Sequence, residues 1–183
     1  FIAPVSSNIE DYIGGFIVTA GEGIEKLAKS YEDKNDDYNS ILVKSLGDRI
    51  AEALAEMLHL DVRTKFWGYA IREKFSNDQL INEEYIGIRP APGYPACPDH
   101  TEKKTLFSLL KADSNIKVKL TESFAMTPSS SVSGFYFSNP SATYFGVGKV
   151  YEDQVKDYAK RKGVNKKIAE KWLSSSLGYA IED

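Results

Sequence analysis

Residues 87–101 read Gly-Ile-Arg-Pro-Ala-Pro-Gly-Tyr-Pro-Ala-Cys-Pro-Asp-His-Thr. Four of the chain's seven prolines fall here, at Pro90, Pro92, Pro95 and Pro98. Each holds φ near about −65° and pushes its predecessor toward an extended backbone, so neither a helix nor a central strand fits the stretch. The expectation is an ordered, rigid loop. It carries groups suited to a small polar ligand such as adenine: Arg89 as a planar cationic fork, Gly93 where a backbone can approach closely, and Tyr94 as an aromatic face with a hydroxyl. Extended residues between prolines also leave amide and carbonyl groups unpaired. The competing reading is a stiff connector with a surface arginine.

Outward from the loop, the longest periodic segment runs from about Asp37 to Phe66. Ile41, Leu42, Leu46, Ile50, Ala53, Leu54, Met57, Leu58 and Leu60 recur at three- and four-residue steps, which predicts a long central core helix capped by Asp36 or Asp37 and interrupted near Gly47 or after Leu60. Asp48, Glu52 and Glu56 repeat every four residues along one side. They form either a solvated face relieved by Arg49 or an acceptor strip for a cationic or hydrogen-bonding partner. His59 has no second His or Cys at ligand spacing, and is read as a packing or surface histidine rather than a metal ligand.

Before this helix, Tyr12–Ala20 reads as a strand and Ile24–Tyr31 as a helix. After it come a short helix from Ser76 or Asn77 to Glu84 and, past the loop, a helix capped at Asp99 or Thr101. Strands are expected over Ile116–Leu120, Val132–Ser138 and Tyr144–Val150, with a polar turn at Pro128–Ser131. Two charged helices close the chain, Tyr151–Lys162 ended by Gly163 and one capped by Asn165 reaching Ser174. Strands and helices mixed without βαβ alternation imply an α+β fold: a mainly antiparallel twisted sheet flanked by helices, one of them long and central.

The 183 residues fit one domain, 1–183, and 42% apolar with 27% charged residues is a globular composition. A net charge of −3 gives no electrostatic case for nucleic acid. The local basic run from Lys156 to Lys167 reads as a solvated helix face. One cysteine, Cys97, excludes an internal disulfide and suits a reducing cytosol. No apolar run approaches the roughly 20 residues that cross a bilayer, so no membrane association is expected and the localisation reads as cytoplasmic.

The loop sequence from Arg89 to Lys103 closely resembles the signature of the C-terminal activation domain of cobalamin-dependent methionine synthase. Asp36-Asp37-Tyr38-Asn39, Asp48-Arg49-Ile50-Ala51-Glu52-Ala53, Trp67-Gly68-Tyr69-Ala70, Leu120-Thr121-Glu122-Ser123-Phe124-Ala125-Met126 and Ser131-Val132-Ser133-Gly134 agree with it too. The resemblance extends from about Asp11 to Tyr179. It implies a module that binds S-adenosyl-L-methionine (AdoMet) and presents its methyl group to cobalamin carried by a separate domain, during repair of the oxidised cofactor. By the same resemblance, Arg89, Ala91, Tyr94, Tyr144 and Phe145 are the AdoMet residues, Arg89 for the carboxylate and the Ala91 backbone for adenine. Asp48 and Glu52 meet the cobalamin-binding domain and hold the histidine released from cobalt, and flavodoxin or a flavoprotein reductase supplies the electron. No side chain is assigned as catalytic, because methyl transfer to cobalt(I) asks for proximity and orientation. The chain works as part of a methyltransferase rather than as a complete catalyst.

The resemblance also implies an upstream acidic ligand residue that would precede Phe1, so the chain reads as a piece of a longer domain; Asp11 belongs to a different motif. Two other readings stand beside this one: an independent enzyme with Cys97 as nucleophile and His100 as base, and a noncatalytic docking module for another corrinoid protein that does not bind AdoMet.

Overall fold

The computed structural model describes residues 1–181. Strand β1 (Gly14–Thr19) leads through a turn at Gly21 into α1 (Glu22–Glu32) and then α2 (Asp37–Asp61), whose N-terminus is capped by the Asp36 carboxylate accepting from Asn39 N–H at 3.1 Å. The helical path continues as a π-turn over Val62–Phe66. Short α3 (Asn77–Ile81) starts at a Ser76–Gln79 capping box. The Pro-rich loop follows, then α4 (Glu102–Leu109), α5 (Ala112–Ile116), the small hairpin β2 (Lys119–Leu120) and β3 (Met126–Thr127), and β4 (Ser131–Tyr136). Helices α6 (Glu152–Lys162) and α7 (Lys166–Trp172) complete it.

The fold is α+β, with two small antiparallel sheets, β1–β4 and β2–β3, among the described residues. β1 and β4 pair from Gly14 opposite Tyr136 to Thr19 opposite Ser131. Phe16 stacks on Tyr136 with ring centroids 4.7 Å apart, and with Val18, Ala55 and Val62 they form the core between this pair and α2. A second cluster, Val150, Val155, Ala159, Ala169 and Leu173, holds α6 against α7. A third, Phe107, Ala112 and Val118, lies under the β2–β3 hairpin.

Three sequence expectations change. The face of α2 that is buried is Ser40, Gly47, Ala51, Ala55 and His59, while Ile41, Leu42, Leu46, Ile50 and Met57 are exposed. Close approach is the reason: a Cβ on Gly47 would lie 2.7 Å from both Ile24 Cγ2 and Ser130 Oγ, so α1 and the β3–β4 turn sit against the helix backbone and admit only small residues. Of the expected stripe, Leu54 and Leu58 pack against the core. Of the two interruptions expected, near Gly47 or after Leu60, the helix runs unbroken through the first and leaves α geometry at Val62, in line with the second.

Residues 144–150 are not a strand. Tyr144 through Lys149 are exposed and without regular structure, and Val147 N–H is donated at 2.8 Å to the Pro95 carbonyl, so the segment is laid along the Pro-rich loop instead of a sheet. Ile116 ends α5, leaving only Lys119–Leu120 as strand where Ile116–Leu120 was expected. No helix among the described residues is long and apolar enough to cross a membrane.

Candidate functional site

The Pro-rich loop is pinned at its start by backbone bonds that proline permits. Ile88 exchanges two bonds of 3.0 Å with Phe137, one residue beyond β4, and the Pro90 carbonyl accepts Phe135 N–H at 2.9 Å. Proline supplies no donor, so the pairing ends there and the chain turns. Gly93 N–H to Cys97 carbonyl (2.7 Å) and Cys97 N–H to Tyr94 carbonyl (2.9 Å) close that turn, with Gly93 at φ +94°. The stretch is thus an ordered loop, as its prolines imply.

Arg89, Ala91, Tyr94, Tyr144 and Phe145 all line one surface cavity of about 340 Å³, together with Glu83, Pro90, Pro95 and Ala96. Tyr144 is fixed by accepting Arg89 N–H at 3.0 Å and lies 3.4 Å from Tyr85 Oη. Phe145 stands at the rim, its ring edge-on to Phe1 at 5.8 Å. The Ala91 N–H has no partner among the described residues, whereas its carbonyl takes Tyr94 N–H at 3.3 Å.

Behind the cavity lies a polar cluster around the Arg89 guanidinium. Nη1 donates to Tyr85 Oη at 2.8 Å and faces His59 Nδ1 at 3.1 Å; Nη2 donates to Glu56 Oε2 at 2.5 Å. Arginine only donates, so His59 Nδ1 is the acceptor and the imidazole proton sits on Nε2, 3.5 Å from Tyr69 Oη. Burial, then the charges of Arg63 and Arg89, push the His59 pKa down to about 2, which agrees with a neutral ring. Burial pushes the Tyr85 hydroxyl far up. For Arg89, burial opposes the charge but Tyr85, Tyr144 and Glu56 more than offset it, and its pKa rises. Beneath, Arg63 and Glu73 form a fully buried two-point pair, Nε–Oε2 2.8 Å and Nη2–Oε1 2.7 Å, with the Arg63 guanidinium 4.1 Å over the Tyr85 ring.

Asp48, Glu52 and Glu56 share a helix side but not an environment. Asp48 Oδ1 accepts from Ser130 Oγ at 2.9 Å, Glu52 pairs with Arg49 at 3.0 Å in full solvent, and Glu56 turns inward to Arg89. None of the three lines the cavity, and Glu56 is the member of the series that reaches Arg89, which does. Glu25 of α1 accepts Ser129 N–H at 2.8 Å, next to the residue that holds Asp48.

A larger cleft of about 860 Å³ opens on the other face of the loop, lined by Gly93, Pro98, His100, Phe124, Trp172 and Ser174 among others. It contains neither Arg89 nor Tyr144. The geometry also speaks against a Cys97–His100 nucleophile pair. His100 Nδ1 faces Lys103 Nζ at 3.1 Å, and burial, with Glu102 and Asp99 adding to it, pushes the Cys97 thiol up to about 11. His59 is wholly buried among aromatic rings, and no metal-ligand cluster occurs among the described residues.

Sequence reasoning missed Glu56, Tyr85 and Glu83 as neighbours of the cavity. The four-residue spacing from Tyr85 to Arg89 and from Glu52 to Glu56 was visible, but that the two pairs meet depends on how α2 crosses behind the loop.

The description "Vitamin B12 dependent methionine synthase, activation domain" belongs to a family model that matches residues 1–163. A solved crystal structure of a MetH reactivation domain bound to AdoHcy is 54% identical, with a TM-score of 0.94; the match covers 97% of this chain and 55% of that one. The chain thus spans about half the length of that relative. On the match of family model and fold together, the chain belongs to the activation-domain family of vitamin B12 dependent methionine synthase.

Proposed function

We propose that this chain is an AdoMet-binding module that positions the ligand for reductive methylation of cobalamin held on another domain of a methionine synthase. The observation that carries the reading is the convergence of Arg89, Ala91, Tyr94, Tyr144 and Phe145 on one cavity whose wall is a pinned, proline-stiffened loop. The AdoHcy in the relative, which shares the nucleoside and amino-acid ends of AdoMet, supports the ligand class.

The residues present fit that ligand. Arg89 would take the carboxylate, a charge-assisted contact worth about 1.5 to 3 kcal/mol. The free Ala91 N–H would read an adenine edge. Tyr144 accepts the Arg89 N–H and is approached by the Tyr85 hydroxyl, which leaves its own proton to donate to the ligand. Tyr94 and Phe145 offer aromatic faces, and the Glu83 carboxylate suits a neighbouring sulfonium cation. Cobalamin, when bound on its own domain, supplies the nucleophile that accepts the methyl group. What these residues contribute is orientation of the methyl donor, and no proton has to move. Docking of the cobalamin-binding domain on α2 through Asp48 and Glu52 is supported by the exposure of both residues on one side of the helix. Flavodoxin or a flavoprotein reductase is the proposed source of the electron.

Calorimetric titration with AdoMet, with Arg89→Ala as control, tests the reading. Binding by the wild type that is lost in the variant is the expected result. A folded chain that binds neither alone nor in a version extended upstream refutes it and favours the docking-only alternative.

A further inference from the structure

We propose that Glu56 is a positioning residue for the ligand-binding Arg89: with Tyr85 and His59 it fixes the guanidinium so that two of its donors are presented, already oriented, to the carboxylate of the bound ligand. The inference rests on the AdoMet reading and adds to it the group that sets the arginine's orientation.

A guanidinium has five N–H donors. Both on Nη1 are taken, by Tyr85 Oη and His59 Nδ1, and one on Nη2 goes to Glu56 Oε2. Two remain, one on Nη2 and one on Nε, with no partner among the described residues; two is the number that a carboxylate accepts in a bidentate pair. The three contacts come from two elements, α2 and the segment before the loop, so they hold the guanidinium plane at three points. Neutral His59 helps by accepting a bond without adding a like charge. The arginine side chain is 21% exposed and Glu56 28%, so the pair is only partly screened by water; Arg89 lines the cavity and Glu56 stands behind it.

Orientation decides the sign. Glu56 lowers the net charge facing an anion, which by itself would weaken binding. An arginine freed of Glu56 regains rotamer freedom and must lose it again on binding, and it loses the fixed fork that a bidentate contact requires. Glu56 Oε1 is buried without a partner, so the carboxylate has no other bond that would explain its inward turn.

The test compares AdoMet with 5′-methylthioadenosine, which keeps the nucleoside and the sulfur but has no carboxylate. Glu56→Leu should weaken AdoMet about tenfold, the loss of one charge-assisted contact, and leave methylthioadenosine unchanged. Glu56→Gln should fall between. A ligand-free readout accompanies this: the Arg89 Nη protons should give resolved NMR signals in the wild type, from restricted rotation, and lose them in Glu56→Leu. Tighter AdoMet binding in Glu56→Leu, equal loss for both ligands, or Arg89 signals unchanged by the substitution would overturn the proposal. A wild type that binds neither ligand would refute the AdoMet reading, and the NMR arm would still decide what holds Arg89.

Discussion

Two glycines of the Pro-rich loop have similar backbones and different neighbours, so the same substitution should read out differently at each. Gly87 has φ +86° and Gly93 φ +94°. A side chain in that region costs about 1 to 2 kcal/mol, less the 0.4 to 1 kcal/mol or so that Gly→Ala returns by restricting the unfolded chain. At Gly87 the new Cβ would overlap the Phe137 carbonyl oxygen and lie 2.9 Å from Tyr69 Oη. That carbonyl accepts Ile88 N–H at 3.0 Å and cannot retreat without breaking the bond that anchors the loop. Overpacking against a fixed group adds about 1 to 3 kcal/mol, so Gly87→Ala should cost about 3 kcal/mol in total. At Gly93 the Cβ would overlap the His100 ring, which is exposed and free to swing. Gly93→Ala should therefore cost about 1 kcal/mol, mostly strain, and keep nearly that cost in a His100→Ala background. Urea denaturation with an unchanged m-value is the assay. Equal costs at the two positions, or relief of the Gly93→Ala cost by His100→Ala, would refute the reasoning that fixed backbone and movable side chain are what distinguish them.

Other consequences are independent of the ligand. Glu73→Gln leaves the fully buried Arg63 charge without its anion and should cost about 3 to 5 kcal/mol, while Arg63→Met with Glu73→Leu should lie much closer to wild type; thermal or urea melts separate the two outcomes. His59 stays neutral in the fold and takes up a proton on unfolding below its ordinary 6.5, so the unfolded state binds more protons there and stability is lost as pH falls through 6.5. Relative to His59→Asn, the wild type should lose about 2 to 3 kcal/mol between pH 6.5 and 4.5, measured as the difference of two urea midpoints so that the carboxylates cancel. Cys97, with its thiol raised to about 11, should react far more slowly with iodoacetamide at pH 7.5 than a free cysteine and at a rate that His100→Ala leaves unchanged; dependence on His100 would revive the nucleophile reading.

Local signals in the sequence were read with little loss because their physics is local. Asp36, Ser76 and Asn165 each cap the helix that follows, and Gly163 closes α6 in the left-handed region. Prolines at 90, 92, 95 and 98 were enough to specify an ordered loop. The strand expected at 144–150 failed for the opposite reason. Its aromatic and β-branched residues fit a strand, but Gly146 and Gly148 lie in it and the Pro95 carbonyl offers Val147 a bond that no neighbouring strand does. The site followed the same division. The five cavity residues lie in two short segments, and the loop brings the segments together through that same bond, whereas Glu56 arrives from a helix more than thirty residues upstream of Arg89.

The face of α2 shows where pattern reading breaks down and why. Periodicity finds the large apolar residues and assigns them to the core, on the premise that burial follows side-chain size. Against β1, β4 and α1 the limiting quantity is distance: at Gly47 the neighbouring atoms are already 2.7 Å from where a Cβ would stand. The inward positions must then be small, Ser40, Gly47, Ala51 and Ala55, or must be polar and satisfied, as His59 is by Arg89. The large residues left outside are not a failed core. Burying a single Leu or Ile is worth about 1.5 to 3 kcal/mol, a contribution that Leu46, Ile50 and Met57 do not make in this fold. The helix thus has one face whose small residues let the sheet come close enough for Glu56 and His59 to reach Arg89. The other face keeps Leu46, Ile50 and Met57 in solvent. The close packing that misled the periodicity argument is what brings this helix near enough for Glu56 and His59 to hold Arg89, the proposed ligand-site arginine.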